Sequence, residues 1–243
     1  MLLGEGELFW DDCCAAALVA HSFLRNKHNW LLITIILLGL CLRSFSLGSI
    51  PGQTFDEVFY PVFALNYILG QTFFSVHPPV GTYLISLSIY IYHLLPWAEP
   101  TFSSGINISD LNPVSYRWLN VIAGTTLIYV AYKLCIELFD KKHLALLVAL
   151  FFALDGSLLV DSRFGLINVY LSLFGFLSVL FLLQYFKGKA NMPFLIIGSL
   201  LLGLTFSIKW NGLGFWLTSV LFVVFILFLN KQCEKEQIQV PLN

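Results

Sequence analysis

Six apolar stretches set the rhythm of the chain, at 30–47, 116–136, 143–160, 164–186, 193–209 and 212–229, each closed by charged or turn-forming residues. Runs of this length predict α-helices that cross a bilayer. Residues 48–115, between the first two, break the pattern. There Asp56 to Gln71 predicts a helix, with Phe59, Phe63 and Tyr67 on an apolar side, two acids in its first turn where the dipole favours them, and Gly70 as its stop. Such a helix lies on the membrane surface.

Val80 to Leu95 is near the length of a span, yet it carries Thr82, Ser86, Ser88, His93 and three tyrosines. The basic residues choose between its two placements. If it crossed, the loop 96–115, without lysine or arginine, would face the cytoplasm, and Lys141, Lys142, Lys187 and Lys189 would face out. If it lies in the interface or re-enters, every basic loop is cytoplasmic, as the positive-inside rule requires. The expected arrangement is therefore an all-α, multi-pass transmembrane bundle of about six spans plus external interfacial helices, with both termini inside.

Arg25, Lys27 and His28 precede the first run, and no small-residue cleavage site follows it, which predicts an uncleaved signal anchor. The expected organisation is a cytoplasmic segment 1–29, a transmembrane domain 30–229 with an external loop 48–115, and a cytoplasmic tail 230–243. No internal repeat or linker divides it further.

Composition agrees: 58% of the 243 residues are hydrophobic, 11% are charged and the mean hydropathy is +0.82, which excludes a water-soluble domain. The basic residues are scattered, which excludes a nucleic-acid surface. The five cysteines show neither metal nor disulfide spacing and read as small apolar fillers.

Nine of the thirteen lysines and arginines fall on the cytoplasmic side of this arrangement. Arg43, Arg117, Arg163 and Lys209 do not; they sit near the outer ends of spans, where Asp56, Glu57, Asp155 and Asp161 also collect. A charge left at membrane depth costs roughly 2.5 to 3.5 kcal/mol, so such groups face protein, ligand or water. Arg43 is expected to snorkel to the interface. The others predict a polar cavity in which a carboxylate acts as general base toward a hydroxyl while cations hold a departing phosphate, as a lipid-phosphate substrate requires. Plainer roles stand beside these: a dipole-favoured pair for Asp56 and Glu57, an interfacial histidine for His77, anchors for Arg163 and Lys209, a structural ion pair for Asp155, and an aromatic-belt residue for Trp210. Asn107-Ile108-Ser109 matches a glycosylation acceptor.

The motifs Asp56-Glu57, His77-Pro78-Pro79-Val80-Gly81, Tyr116-Arg117-Trp118-Leu119-Asn120, Ala153-Leu154-Asp155-Gly156, Asp161-Ser162-Arg163-Phe164 and Ser207-Ile208-Lys209-Trp210-Asn211-Gly212 occur in that order. Together they resemble the N-terminal half of the protein O-mannosyltransferase family, membrane glycosyltransferases of the GT-C fold that use dolichyl- or polyprenyl-phosphate mannose. The resemblance implies transfer of mannose to serine or threonine hydroxyls of an acceptor protein, inverting and in one displacement, with Asp56 as catalytic base and Glu57 positioning a substrate. It implies His77 beside the reacting sugar, and Arg117, Arg163 and Lys209 contacting the lipid phosphate or holding the acids; Asp155 and Trp210 complete the substrate-binding candidates. No cofactor or metal is expected, with a divalent ion left open, and an oligomer or a C-terminal half is a possible partner. The membrane is the bacterial plasma membrane, or the endoplasmic reticulum in a eukaryote. Thr82 stands where the family often has lysine, and Asn168 where many members have aspartate. Members usually continue beyond the point matching Asn243, so a fragment or a short relative is expected. The rival readings are a non-catalytic lipid-phosphate-binding subunit, a GT-C enzyme for another sugar, and a transporter, the last disfavoured because the charges gather at one face instead of the midplane.

Overall fold

The computed structural model describes residues 27–98, 102 and 105–238, and all regular structure among them is helical. Arg25, the N-terminal acids, Cys13 and Cys14 lie outside the described residues. The helices are α1 (Lys27–Ser44), α2 (Tyr60–Leu69), α3 (Val80–His93), α4 (Val114–Phe139), α5 (Lys142–Leu154), α6 (Gly156–Arg163), α7 (Asn168–Phe186), α8 (Met192–Ile208) and α9 (Gly212–Ile238), with short 3-10 turns at Phe55–Val58 and Ile108–Asp110.

α4 is the hub, packing against α1, α3, α5, α6 and α7. Small residues let its neighbours close in: a Cβ on Gly124 would collide with the Ser162 side chain. Side-chain bonds fix the helix directions. Asn120 and Tyr170 join the starts of α4 and α7, while Gln184 and Glu137 join their ends, so the two run parallel. Lys209, just after α8, bonds Asn168 at the start of α7, which makes α8 antiparallel to α7. His28 and His143 meet at 4.7 Å where α1 and α5 begin. One end of the bundle therefore gathers Lys133, Lys141, Lys142, Lys187 and Lys189, and the other gathers the acids and the exceptional cations.

α3 lies across that second end. Gly81 at its start is close-packed on Ile167 and Ile208, and Ser88 further along donates to the Ser115 carbonyl at 2.8 Å. Ile208 ends α8 and Ser115 begins α4, so both contacts are at the same end of the bundle.

α4 and α7 are each long and apolar enough to cross a membrane, and α5 with α6 forms a third candidate bent by 55°. α8 and the 212–225 part of α9 are shorter apolar helices. The continuous span expected at 143–160 is thus broken at Asp155, whose backbone leaves the helix and whose Oδ1 accepts from Leu158 N at 2.8 Å to cap α6. The break strands carbonyls at the end of α5. Arg43 takes them: its Nη2 donates to Phe152 O at 2.9 Å and its Nη1 to Ala153 O at 3.1 Å, with Nε on Ser162 Oγ at 3.3 Å. Arg43 is only 1% exposed, so it does not snorkel as expected; unsatisfied carbonyls on the neighbouring helix draw it inward.

The helix expected from Asp56 to Gln71 is also divided. A 3-10 turn holds Phe55–Val58, and α2 begins only at Tyr60, ending as expected at Gly70, whose φ of 65° is left-handed.

Candidate active site

The turn Phe55–Val58 sends its two acids in opposite directions. Phe55 holds φ at 58°, a region costly for a bulky side chain, inside a turn closed by Glu57 N on Thr54 O at 3.1 Å and by Thr54 N on Glu57 Oε2 at 2.9 Å. Asp56 lines a cavity of about 420 Å3 whose walls are mostly aromatic, from Phe59, Tyr60, Phe63 and Phe74, with Val76 and His77 closing it.

Glu57 points the other way and is wholly buried. Its Oε1 accepts from Arg117 Nε at 2.8 Å and from the Gly165 backbone N–H at 2.6 Å. Its Oε2 accepts from Arg117 Nη2 at 2.6 Å and from Thr54 N at 2.9 Å. Arg117 spends its remaining donors on the carbonyls of Leu47, Ile50 and Gly52, so all five of its N–H groups are engaged. A charge pair buried this deeply is tolerable because every lone pair and proton is met. The pair ties the external loop, the 3-10 turn, α4 and the α6–α7 corner into one unit, and fixes the peptide that carries Asp56. Of the roles expected for Arg117, holding the acids is the one with geometry behind it; no donor remains for a phosphate.

Beside the cavity, Lys209 Nζ donates to Asn168 Oδ1 at 3.1 Å, and Asn168 Nδ2 donates to Asp161 Oδ1 at 3.2 Å. Asn168 thus bridges a cation and an acid. Burial, reinforced by the Lys209 charge and opposed by Asp56, lowers the His77 imidazole below its ordinary pKa, favouring its neutral form. The His77 Nδ1 is buried without a hydrogen-bond partner among the described residues. Burial, with Asp56 adding to it, pushes the Tyr60 hydroxyl up to about 12. Trp210 Nε1 donates to Val76 O at 3.0 Å, holding the cavity wall against the α8–α9 turn.

Of the residues expected to form the site, the structure brings together Asp56, His77, Lys209 and Trp210, with Asp161 joined to them through Asn168. It places Glu57 and Arg117 behind the cavity as its support. Arg163 donates to the carbonyls of Leu42 and Phe45, stapling α6 to the end of α1. Asp155 caps α6 and borders a separate cavity with Phe151 and Phe176, away from Asp56. The aromatic walls escaped sequence reasoning because aromatic residues are abundant throughout. Thr54, by contrast, had a signal: Thr-x-x-Glu over Thr54 to Glu57 is a capping-box spacing. No three histidine, cysteine, aspartate or glutamate side chains among the described residues are grouped to hold a metal ion.

Residues 33–241 match the family model described as dolichyl-phosphate-mannose-protein mannosyltransferase. Among curated proteins, the chain is 31% identical to protein O-mannosyltransferase 1 of Drosophila pseudoobscura pseudoobscura over 179 residues, 70% of this chain and 19% of that protein. It is 28% identical to human protein O-mannosyl-transferase 1, over 78% of this chain and 24% of that one. With dolichyl-phosphate-mannose–protein mannosyltransferase 1 of Candida albicans the identity is 26%, over 78% of this chain and 22% of that one. The chain spans about a fifth of the length of the curated relatives it matches. Among solved structures, the Saccharomyces cerevisiae protein O-mannosyltransferase Pmt1-Pmt2 complex bound to its sugar donor superposes with a TM-score of 0.72 at 22% identity, covering 84% of this chain and 28% of that one. That likeness shows the fold, a helical membrane domain of the GT-C type.

Proposed function

Because the chain belongs to the dolichyl-phosphate-mannose-protein mannosyltransferase family, we propose that its Asp56 cavity is where mannose passes from a lipid-phosphate carrier to a serine or threonine hydroxyl of a protein. The observation that carries this reading is the division of labour in the acidic pair. Glu57 has both oxygens engaged in the interior, whereas Asp56 borders open space. A general base must reach the proton it removes, and a carboxylate aimed into a cavity can do so.

In the proposed step the Asp56 carboxylate takes the hydroxyl proton as the acceptor oxygen attacks the anomeric carbon of the sugar. The carbon–oxygen bond to the carrier breaks on the opposite face, its electron pair leaving with the phosphate. Configuration therefore inverts, and no covalent enzyme intermediate forms. Lys209 is the cation best placed to stabilise the leaving phosphate, since its one hydrogen bond among the described residues, to Asn168, leaves two donors. His77, kept neutral, lines the cavity without adding a second positive charge.

The carrier is a polyprenyl or dolichyl phosphate, the lysine-rich end of the bundle faces the cytoplasm, and the Asp56 end faces the opposite side, with six crossings in all. The host membrane is bacterial plasma membrane or endoplasmic reticulum, and the chain works with a partner subunit or a C-terminal half.

The test is transfer of radiolabelled mannose from polyprenyl-phosphate mannose to a serine- and threonine-rich peptide, in membranes holding this chain. Labelled peptide with inverted linkage is expected. An unlabelled peptide, or a retained linkage, would refute the reading.

A further inference from the structure

A second and larger cavity, about 570 Å3, opens at the Asp56 end of the bundle, between the end of α3, the loop that follows it, and the Asn112–Pro113 entry to α4. None of the roles given above uses it. Its lining includes Tyr92, His93, Trp97, Asp110 and Asn112.

The unused valences of these side chains define what would fit. His93 Nδ1 lies 2.7 Å from the Ile89 carbonyl, which can only accept, so Nδ1 carries the proton and a neutral ring leaves Nε2 as an acceptor. Asp110 commits Oδ2 to the Asn107 N–H at 2.9 Å, leaving Oδ1. Asn112 commits Oδ1 to the Val114 N–H at 2.9 Å, leaving its amide NH2 as a donor. Trp97 is 72% exposed and offers a bare aromatic face beside them.

Charge eliminates most ligand classes. No lysine or arginine occurs from Leu47 to Ser115, and the nearby Arg117 has every donor engaged, so a phosphate or carboxylate would meet Asp110 with no cation to offset it. A metal ion would find too few ligands among the described residues. An organic cation would suit Asp110 and Trp97 but leave the Asn112 amide donor unmet, whereas a neutral ligand rich in hydroxyls uses every group: it donates to Asp110 and His93, accepts from Asn112, and lays an apolar C–H face on Trp97.

We infer that this cavity is a carbohydrate subsite that holds a neutral hexose. Two sources share that chemistry: a sugar already carried by the acceptor protein, or a glycan on this chain's own Asn107, which adjoins the cavity lining at Ile106 and is exposed. The first source rests on the proposed transfer reaction; the sugar site itself does not. Its location at the Asp56 end puts it on the side of the membrane where acceptors would be glycosylated, so an acceptor bearing one mannose would be retained for a further transfer.

The test uses the full chain in lipid nanodiscs, titrated with methyl α-mannoside, with an O-mannosylated serine- and threonine-rich peptide, and with the same peptide unmodified. The mannosylated peptide is expected to bind about tenfold more tightly than the unmodified one, and Trp97→Ala and Asp110→Asn each to remove about tenfold of that affinity. Binding unchanged in Asn107→Gln assigns the acceptor as the source; binding that emerges only in Asn107→Gln assigns the chain's own glycan. Equal binding of both peptides with no response to the mannoside in the parent chain and in Asn107→Gln alike, or affinity indifferent to both Trp97→Ala and Asp110→Asn, would overturn the subsite. Transfer to unmodified peptide is measured alongside and is unaffected by Trp97→Ala, so its loss in the parent chain counts against the Asp56 reading and not against this one.

Discussion

Glu57 and Arg117 meet through two parallel bonds, 2.8 Å from Nε and 2.6 Å from Nη2, with both side chains closed to solvent. Sixty residues apart in sequence, they join the external loop to the central helix, and the position of Asp56 depends on that joint. Removing either partner leaves the other charged and buried. Glu57→Ala or Arg117→Ala is expected to lower stability by about 3 to 5 kcal/mol, with the double variant well short of the sum. Thermal melting in detergent checks both statements, and additive losses would show that the pair is not coupled.

Arg43 makes a parallel case within the membrane domain. Its guanidinium caps the carbonyls of Phe152 and Ala153 where α5 breaks, so Arg43→Leu is expected to lose about 1 to 3 kcal/mol for each carbonyl stranded. Gly124→Ala, whose new methyl would overlap Ser162, should destabilise the same corner. If Arg43→Leu melts at the parent temperature, the carbonyls have another partner and the account of the broken helix fails.

His77 gives the pH dependence a definite sign. Its folded-state pKa lies below the ordinary 6.5, so on acidification the unfolded chain takes up the proton first. Stability from this group is complete above the ordinary value and is lost as the pH falls toward the depressed one. The melting temperature should therefore begin to drop as the pH falls through about 6.5, and His77→Gln should flatten part of that slope. A slope unchanged by the substitution would mean that burial does not hold His77 neutral.

Much of this arrangement was legible in the residues, and the misses share a cause. The lysine-rich end and the gathering of Asp56, His77 and Lys209 follow from local composition and from where a bilayer tolerates charge, both readable along the chain. The sequence predicts a surface anchor at Arg43 because snorkelling is a property of one side chain, whereas its burial depends on carbonyls more than a hundred residues away. Asp56 and Glu57 look alike as neighbours in sequence. Only the Phe55–Val58 turn, and the Arg117 and Gly165 that close on one of the two, separate a cavity-lining acid from a buried one. The sequence groups Asp155 with the cavity because it shares its end of the bundle, but its carboxylate is occupied as a helix cap.

The most direct measurement compares mannosyl transfer by the parent chain and by Asp56→Asn at equal folded amounts, with melting temperature recorded for each. Since Asp56 lines the cavity and makes no structural ion pair among the described residues, the amide should fold like the parent. Its transfer rate should fall by about a hundredfold to ten-thousandfold, the contribution of a positioned general base. Transfer undiminished in a folded Asp56→Asn chain would contradict the account, and the base would have to be sought elsewhere in the cavity.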